Sequence, residues 1–312
     1  MRFAVLAAAD SWYARDLVRA GAGDYEIVTL PFSEISGAIG LAGWTSGQSV
    51  RADRGQTGGP CYALSVTSAG QDLAEFDAVI VRTMPPGSLE QVVFRMDCLG
   101  RYEAAGGVVI NPARAIEAAV DKFLTSAKLQ AAGLVTPRTI VCQTADDALA
   151  AFEQLGGDVV LKPVFGSEGR GITRLDDEAL ALRAFKMLAQ LGAVLYVQEY
   201  IEHEGYDIRL LLIGERVLAM RRRNPLDWRT NISRGATAEP FTPDDSLIET
   251  ARRAAAAVGA PLAGVDLLPG RDGTLYAIEV NAVPGWKGLG KALGVDVARL
   301  VLDFVAFTVQ NR

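Results

Sequence analysis

The chain has 312 residues, 50% of them hydrophobic and 22% charged, so it can bury a full core, and its length predicts about two domains of ordinary size. Its formal net charge of -6 argues against a protein built to neutralise nucleic-acid phosphate, and no stretch reaches the roughly 18 uninterrupted apolar residues of a membrane span. Cys61, Cys98 and Cys142 lack any CxxC spacing, which predicts neither a disulfide framework nor a zinc site and fits a reducing cytoplasm. The single histidine, His203, argues against His-ligated zinc chemistry and reads as a loop residue without a role.

In chain order, the apolar run at residues 2–7, a helical stretch through Asp16-Leu17-Val18 and a second strand at 26–30 make a β-α-β unit. Further strands are predicted at 78–82 and 108–110, with a helix over 89–105 between them, so the first hundred or so residues read as a small open α/β domain. Between Ser33 and Pro60 the chain turns rich in Gly, Ser and Gln, which predicts a loop or insertion. Asn111-Pro112 marks a boundary, followed by one helix from Ala113 to Ala132 that ends at Gly133. Strands at 138–141 and 158–162 flank a helix over 146–155, and from Leu195 the pattern is strand-rich: 195–199, 207–213, 216–220, 264–268 and 274–280. The order gives three parts, residues 1–112, 113–196 and 197–312, the latter two being mixed α+β lobes.

Lys162 ends an apolar strand and precedes Gly166, Ser167, Gly169 and Gly171. Glycines at this spacing can bring backbone N–H groups close to phosphate oxygens, although a glycine hairpin tip beside a surface lysine explains the same pattern. Lys122 lies within the predicted helix and would add a second cation, unless it belongs to a solvated helix face. Gly264 to Leu268 and Leu275 to Asn281 flank the turn residues 270–273 as a hairpin, with Glu279 and Asn281 alternating onto one face. Asp266 joins that face if it pairs with an odd-numbered residue such as Ala277, which gives hard oxygen donors suited to Mg²⁺. A solvent-facing edge strand would host Glu279 equally well. Arg209, Arg222, Arg229 and Arg234 supply guanidinium forks able to hold phosphate or carboxylate or to steady an oxyanion.

Taken in order, Lys122, Lys162, residues 166–171, Gln198-Glu199-Tyr200-Ile201, Asp207-Ile208-Arg209, residues 231–235, Asp266 and Glu279-Val280-Asn281 resemble the ATP-grasp signature, and more narrowly the RimK-type α-L-glutamate ligases. The resemblance runs from about Asp121 to the C-terminus, and the ending Glu279 to Gly285 with Gly294 to Ala298 is its most specific part. In the N-terminal third, Arg82 to Pro86 and Gly87 to Asp97 look like the pre-ATP-grasp domain of ligases that add glutamate to pterin or deazaflavin coenzymes. The resemblance implies an ATP-grasp fold of two α+β lobes preceded by a small Rossmann-like domain, with ATP and Mg²⁺ as cofactors and Mn²⁺ as an alternative metal. It assigns the ATP phosphates to Lys122 and Lys162, adenine to backbone groups of Glu199 and Ile201 beside Gln198 and Tyr200, and the ribose to Asp207. Arg222 would join the nucleotide set, Asp266, Glu279 and Asn281 the metal, and Arg209 or Arg234 the oxyanion. The stretch between Ile201 and Asp207 is about one residue shorter than usual in the family, which bears on the assignment of Asp207.

The implied reaction joins an amino acid, glutamate, to a carboxylate of a small-molecule coenzyme or precursor through an acyl-phosphate. A protein C-terminus or carrier protein as acceptor, a non-catalytic ATP-binding regulator, and a nicotinamide oxidoreductase suggested by the opening β-α-β are the competing readings. The last lacks a GxGxxG motif after its first strand, where Ala7 to Ser11 stand instead. No nucleic-acid or membrane partner is expected, and a homo-oligomer stays open.

Overall fold

The computed structural model describes residues 1–40, 64–166 and 169–312. By its internal contacts the chain divides into two compact units: Met1–Glu117 with Gly259–Leu262 and Val295–Arg312, and Ala118–Val258 with Ala263–Gly294.

The first unit is built on β1 (Arg2–Leu6), α1 (Trp12–Gly21), β2 (Glu26–Leu30), β3 (Ile35–Ile39), β4 (Leu64–Ser68), β5 (Gln71–Asp72), β6 (Ala78–Val81), α2 (Leu89–Ala104) and β7 (Val109–Ile110). Its main sheet runs β2-β1-β6-β7 with parallel pairing throughout. Strands of a parallel sheet are buried on both faces, and Phe3, Ala4, Val5 and Leu6 with Ala78, Val79, Ile80 and Val81 all lie in the core. Ser88 starts α2 by a reciprocal capping box with Gln91. The predicted loop over 33–60 needs correction at its start. Ile35–Ile39 is a strand of a second, antiparallel sheet β3-β4-β5, with Ile35 and Ala38 buried. Ser36 and Gly37 between them interrupt the apolar pattern that marks a strand in sequence. The rest of that segment, with Cys61, lies outside the described residues.

The predicted helix over 113–132 is two helices, α3 (Ala113–Val120) and α4 (Lys122–Ala131). Asp121 is extended (φ -89°, ψ 107°) and its carboxylate accepts from the N–H of Leu124, so it caps a new helix. Lys122 therefore stands at the first position of α4 and not within a continuous helix.

The second unit continues with β8 (Thr139–Cys142), α5 (Ala145–Gln154), β9 (Val159–Lys162), β10 (Thr173–Leu175), α6 (Glu178–Gln190), β11 (Leu195–Glu199), β12 (Tyr206–Ile213), β13 (Arg216–Arg223), β14 (Thr237–Pro240), α7 (Asp245–Val258), β15 (Leu262–Pro269), β16 (Leu275–Asn281) and α8 (Lys287–Leu293). It carries a sheet β10-β9-β11-β8 and a sheet β14-β13-β12-β15-β16, two α+β layers as expected. In the smaller sheet, Val159, Leu161, Leu195 and Val197 pack with Phe152 of α5 and Phe185 of α6 in one core. The period of two along a strand then sends Lys162, Tyr196 and Gln198 to the opposite face.

The last helix, α9 (Val297–Gln310), belongs to the first unit, where Arg19 of α1 pairs with Asp296 and Arg299 of α9 with Asp24. The contacts thus end the second unit at Gly294, short of the expected 312. Among the described residues no helix is long and apolar enough to cross a membrane.

Candidate active site

All the expected site residues that are described lie in the second unit. On that opposite face of the smaller sheet, the Lys162 ammonium donates to Oε1 of Gln198 at 2.5 Å. Gln198, itself buried, is oriented by its own donations to the hydroxyls of Thr139 (2.9 Å) and Tyr196 (3.2 Å), and the Tyr196 hydroxyl meets Ser126 of α4 at 2.8 Å. At the start of α4, Lys122 donates to the carbonyl of Gly166 at 2.6 Å and its backbone N–H to that of Val164 at 3.2 Å, which fastens the helix to the glycine loop. Burial lowers the Lys122 ammonium, against the pull of Glu279. Burial takes Lys162 down to about 8, with Glu279 opposing and Lys122 adding to the fall. Two partly buried cations thus face one carboxylate, and among the described residues each hydrogen-bonds a neutral oxygen.

Gly169 has φ +70°, and a Cβ there would stand 2.5 Å from Oδ1 of Asn231, so a side chain is excluded on both counts. Arg234 donates to the carbonyl of Gly169 at 3.2 Å. Ser167 lies outside the described residues.

On the larger sheet, Asp266 sits directly opposite Glu279, and Gly264 opposite Asn281. The carboxylates share a face, with Glu279 and not Ala277 as the odd-numbered partner. A bulge between Asp266 and Leu267 sets that pairing. Arg209 holds Asp266 in a bidentate pair at 2.5 and 2.6 Å. Arg222 bridges Asp266 (2.8 Å) and Asp207, and Thr230 donates to Asp207 at 2.6 Å. Burial works against both charges, yet Asp207 and Asp266 keep Arg222 raised, and Arg209 and Arg222 keep Asp266 below the usual carboxylate range. The forks expected to meet nucleotide and oxyanion, Arg222 and Arg209, are therefore engaged with carboxylates of the same sheet, and the Asp207 carboxylate expected at the ribose accepts from Arg222 and Thr230.

Glu199 uses its carboxylate on the backbone N–H and Nε of Arg138 (2.7 and 2.5 Å), and its own N–H donates to the Arg138 carbonyl. The N–H of Ile201, beyond the strand end, has no hydrogen-bond partner among the described residues. Tyr200 stacks against the Arg174 guanidinium at 3.6 Å and meets Trp228 edge-on. Sequence reasoning did not single out Tyr196, Ser126, Thr230 or Arg174. Only Thr230, between Arg229 and the run 231–235, stood next to residues that the sequence had singled out.

The donor set fits a hard cation. Ionised Asp266 offers about four lone-pair sites, of which the arginines take three, and Glu279 and Asn281 add oxygens beside it. Oδ1 of Asn281 also accepts from the N–H of Val283. No cluster of three or more Asp, Glu, Cys or His side chains suited to a metal occurs among the described residues.

Residues 119–305 match the family model described as a RimK-like ATP-grasp domain. A tetrahydromethanopterin:alpha-L-glutamate ligase of Methanosarcina acetivorans is 32% identical over 262 residues, covering 75% of this chain and 81% of the relative. The glutamate–LysW ligase ArgX of Sulfurisphaera tokodaii is 33% identical over 239 residues, covering 75% and 83%. Among solved structures, the ATP-grasp ligase PsnB complexed with minimal precursor superposes with a TM-score of 0.72 at 23% identity, covering 98% of both chains. A RimK domain protein from Sphaerobacter thermophilus gives 0.71 at 22%, covering 97% of this chain and 99% of the other, and at these identities the two structures speak for the fold alone. With more than half its length inside the family model and the lysines, glycine loop and carboxylate hairpin gathered in one unit, the chain belongs to the RimK-like ATP-grasp ligases.

Proposed function

We propose that the protein joins glutamate to a carboxylate of a small-molecule coenzyme or precursor, using ATP and releasing ADP and phosphate. The observation that carries this reading is the pair of partly buried lysines, Lys122 and Lys162, facing Glu279 with no carboxylate bound to either among the described residues. Burying a cation is unfavourable unless a counter-charge arrives, and a polyphosphate supplies it. The glycine loop and the Ile201 N–H would seat the phosphates and the adenine.

A magnesium ion held by Asp266, Glu279 and Asn281 would neutralise phosphate charge and polarise the phosphoryl oxygen, with manganese as an alternative. The acceptor carboxylate attacks the γ-phosphate, ADP departs, and the acyl-phosphate is then attacked by the glutamate amine. Phosphoryl transfer of this kind needs chiefly positioning and electrostatic stabilisation, which the two lysines supply. Arg234, on the glycine loop, and Arg209, one edge of which remains beyond its Asp266 pair, are the candidates to steady the tetrahedral oxyanion.

The choice of glutamate and of a coenzyme acceptor follows the activity for which the Methanosarcina relative is named. ArgX, of similar identity, acts on LysW, which keeps a carrier protein as the second reading. The test is mass spectrometry of protein incubated with Mg-ATP, glutamate and a small-molecule extract, beside Glu279→Ala. Glutamyl-extended masses with matching ADP, absent from the variant, are expected. Confirmed ATP binding with neither product would overturn the ligase reading.

A further inference from the structure

His203, the only histidine, lies between the expected adenine strand and the loop that carries Thr230, Asn231 and Arg234. Its backbone bridges to Gly270 in the β15–β16 turn, where Arg271 also donates to the carbonyl of Glu202 at 2.8 Å. Its Nδ1 accepts from the N–H of Gly205 at 3.2 Å. A side-chain acceptor taking the N–H two residues on is the geometry of an Asx turn, here made by an imidazole. Gly205 in turn accepts at its carbonyl from the N–H of Asn224 at 2.9 Å, and the Asn224 amide donates to the carbonyls of Arg229 (2.8 Å) and Arg234 (3.2 Å). Gly205 has φ +73°, and a Cβ there would come within 3.1 Å of the Asn224 carbonyl oxygen, so the glycine whose two flanking peptides make these contacts cannot be replaced by a bulkier residue without strain. Thr230, between those two carbonyls, holds Asp207, and Arg234 reaches Gly169 of the glycine loop.

We infer that His203 is a positioning residue for nucleotide binding, its neutral Nδ1 orienting the Gly205 peptide and through Asn224 the loop 224–235. The inference rests on the nucleotide site proposed above, but not on the identity of the acceptor or of the amino acid. A protonated imidazole has no lone pair for the Gly205 N–H, so the arrangement needs the neutral ring. Burial lowers the imidazole from its ordinary 6.5 and favours that form. Asp207 on β12 and the Trp228 backbone oppose the fall, while Arg271 of the turn and Arg174 of β10 add to it. The orienting contact is therefore held while the ring is neutral and is lost as acid protonates it, at a pH below the ordinary imidazole range.

The test is the dissociation constant of Mg-ATP, measured by titration of the whole protein, for wild type, His203→Ala and His203→Asn from about pH 8 to about pH 5.5, the range over which an imidazole titrates. At the upper end the alanine variant is expected to bind about fivefold more weakly, the scale of one net hydrogen bond, with thermal unfolding little changed. The asparagine variant, whose Oδ1 can accept the same N–H but does not titrate, is expected to restore affinity. It should also remove the acid-side weakening that wild type shows. An alanine variant that binds like wild type, or an asparagine variant that weakens in acid as wild type does, overturns the inference while leaving the ligase proposal intact. A wild type that binds no Mg-ATP overturns both.

Discussion

Within the second unit, two groups of cations have opposite surroundings. Arg209 and Arg222 on β12 and β13 are locked onto Asp266 and Asp207, and the charge of Arg222 is reinforced. Lys122 and Lys162 bond to a backbone carbonyl and an amide oxygen, and both ammonium groups are pushed toward neutrality. Arginine suits the first setting, with a planar fork that matches carboxylates and stays charged. Lysine suits the second, a point charge whose proton responds to what arrives. The arginine lattice is satisfied by carboxylates of the same sheet and ties together the strands beside Glu279 and Asn281, whereas the lysine pair is the group that we propose an anionic ligand completes.

The largest effect is expected where the lattice is broken. Arg222→Met leaves Asp207 and part of Asp266 buried without their counter-charge, and should lower stability by about 3–5 kcal/mol, measured by urea denaturation. A loss below about 1 kcal/mol, the range of an exposed pair, would erase the contrast between the two groups. At the other end, Arg138→Ala removes a guanidinium that is 65% exposed from the Glu199 carboxylate and should cost no more than about 1 kcal/mol by the same measurement. A larger cost would mean that β11 depends on that pair.

The strands that carry the site were readable because alternation and turn chemistry are local: β11 matches its predicted span residue for residue, and the 270–273 turn falls between β15 and β16. The pairing of Asp266 with Glu279 was not readable, since a bulge shifts the register and sequence periodicity carries no register across strands. The break at Asp121 was missed because the residues on either side are good helix formers, and only the cap geometry shows that a second helix begins there. The roles of the arginines were the least legible. A guanidinium that binds phosphate and one that ties two strands together look alike in sequence, and only the bidentate contacts of Arg209 and Arg222 separate them. His203 gave no signal at all, because its contact depends on the peptide orientation of Gly205.

The contrast between the two cation groups is tested most directly by calorimetric titration of Mg-ATP near pH 8.5 in buffers of different ionisation enthalpy. Lys162, held near 8 in the free protein, should take up a proton when phosphate oxygens arrive, because a nearby anion favours its charged form. The expected result is net proton uptake in wild type, with weaker binding and no such uptake in Lys162→Met. Binding without proton uptake in wild type, or the same uptake in the methionine variant, would contradict the assignment of the lysine pair as the group completed by the nucleotide.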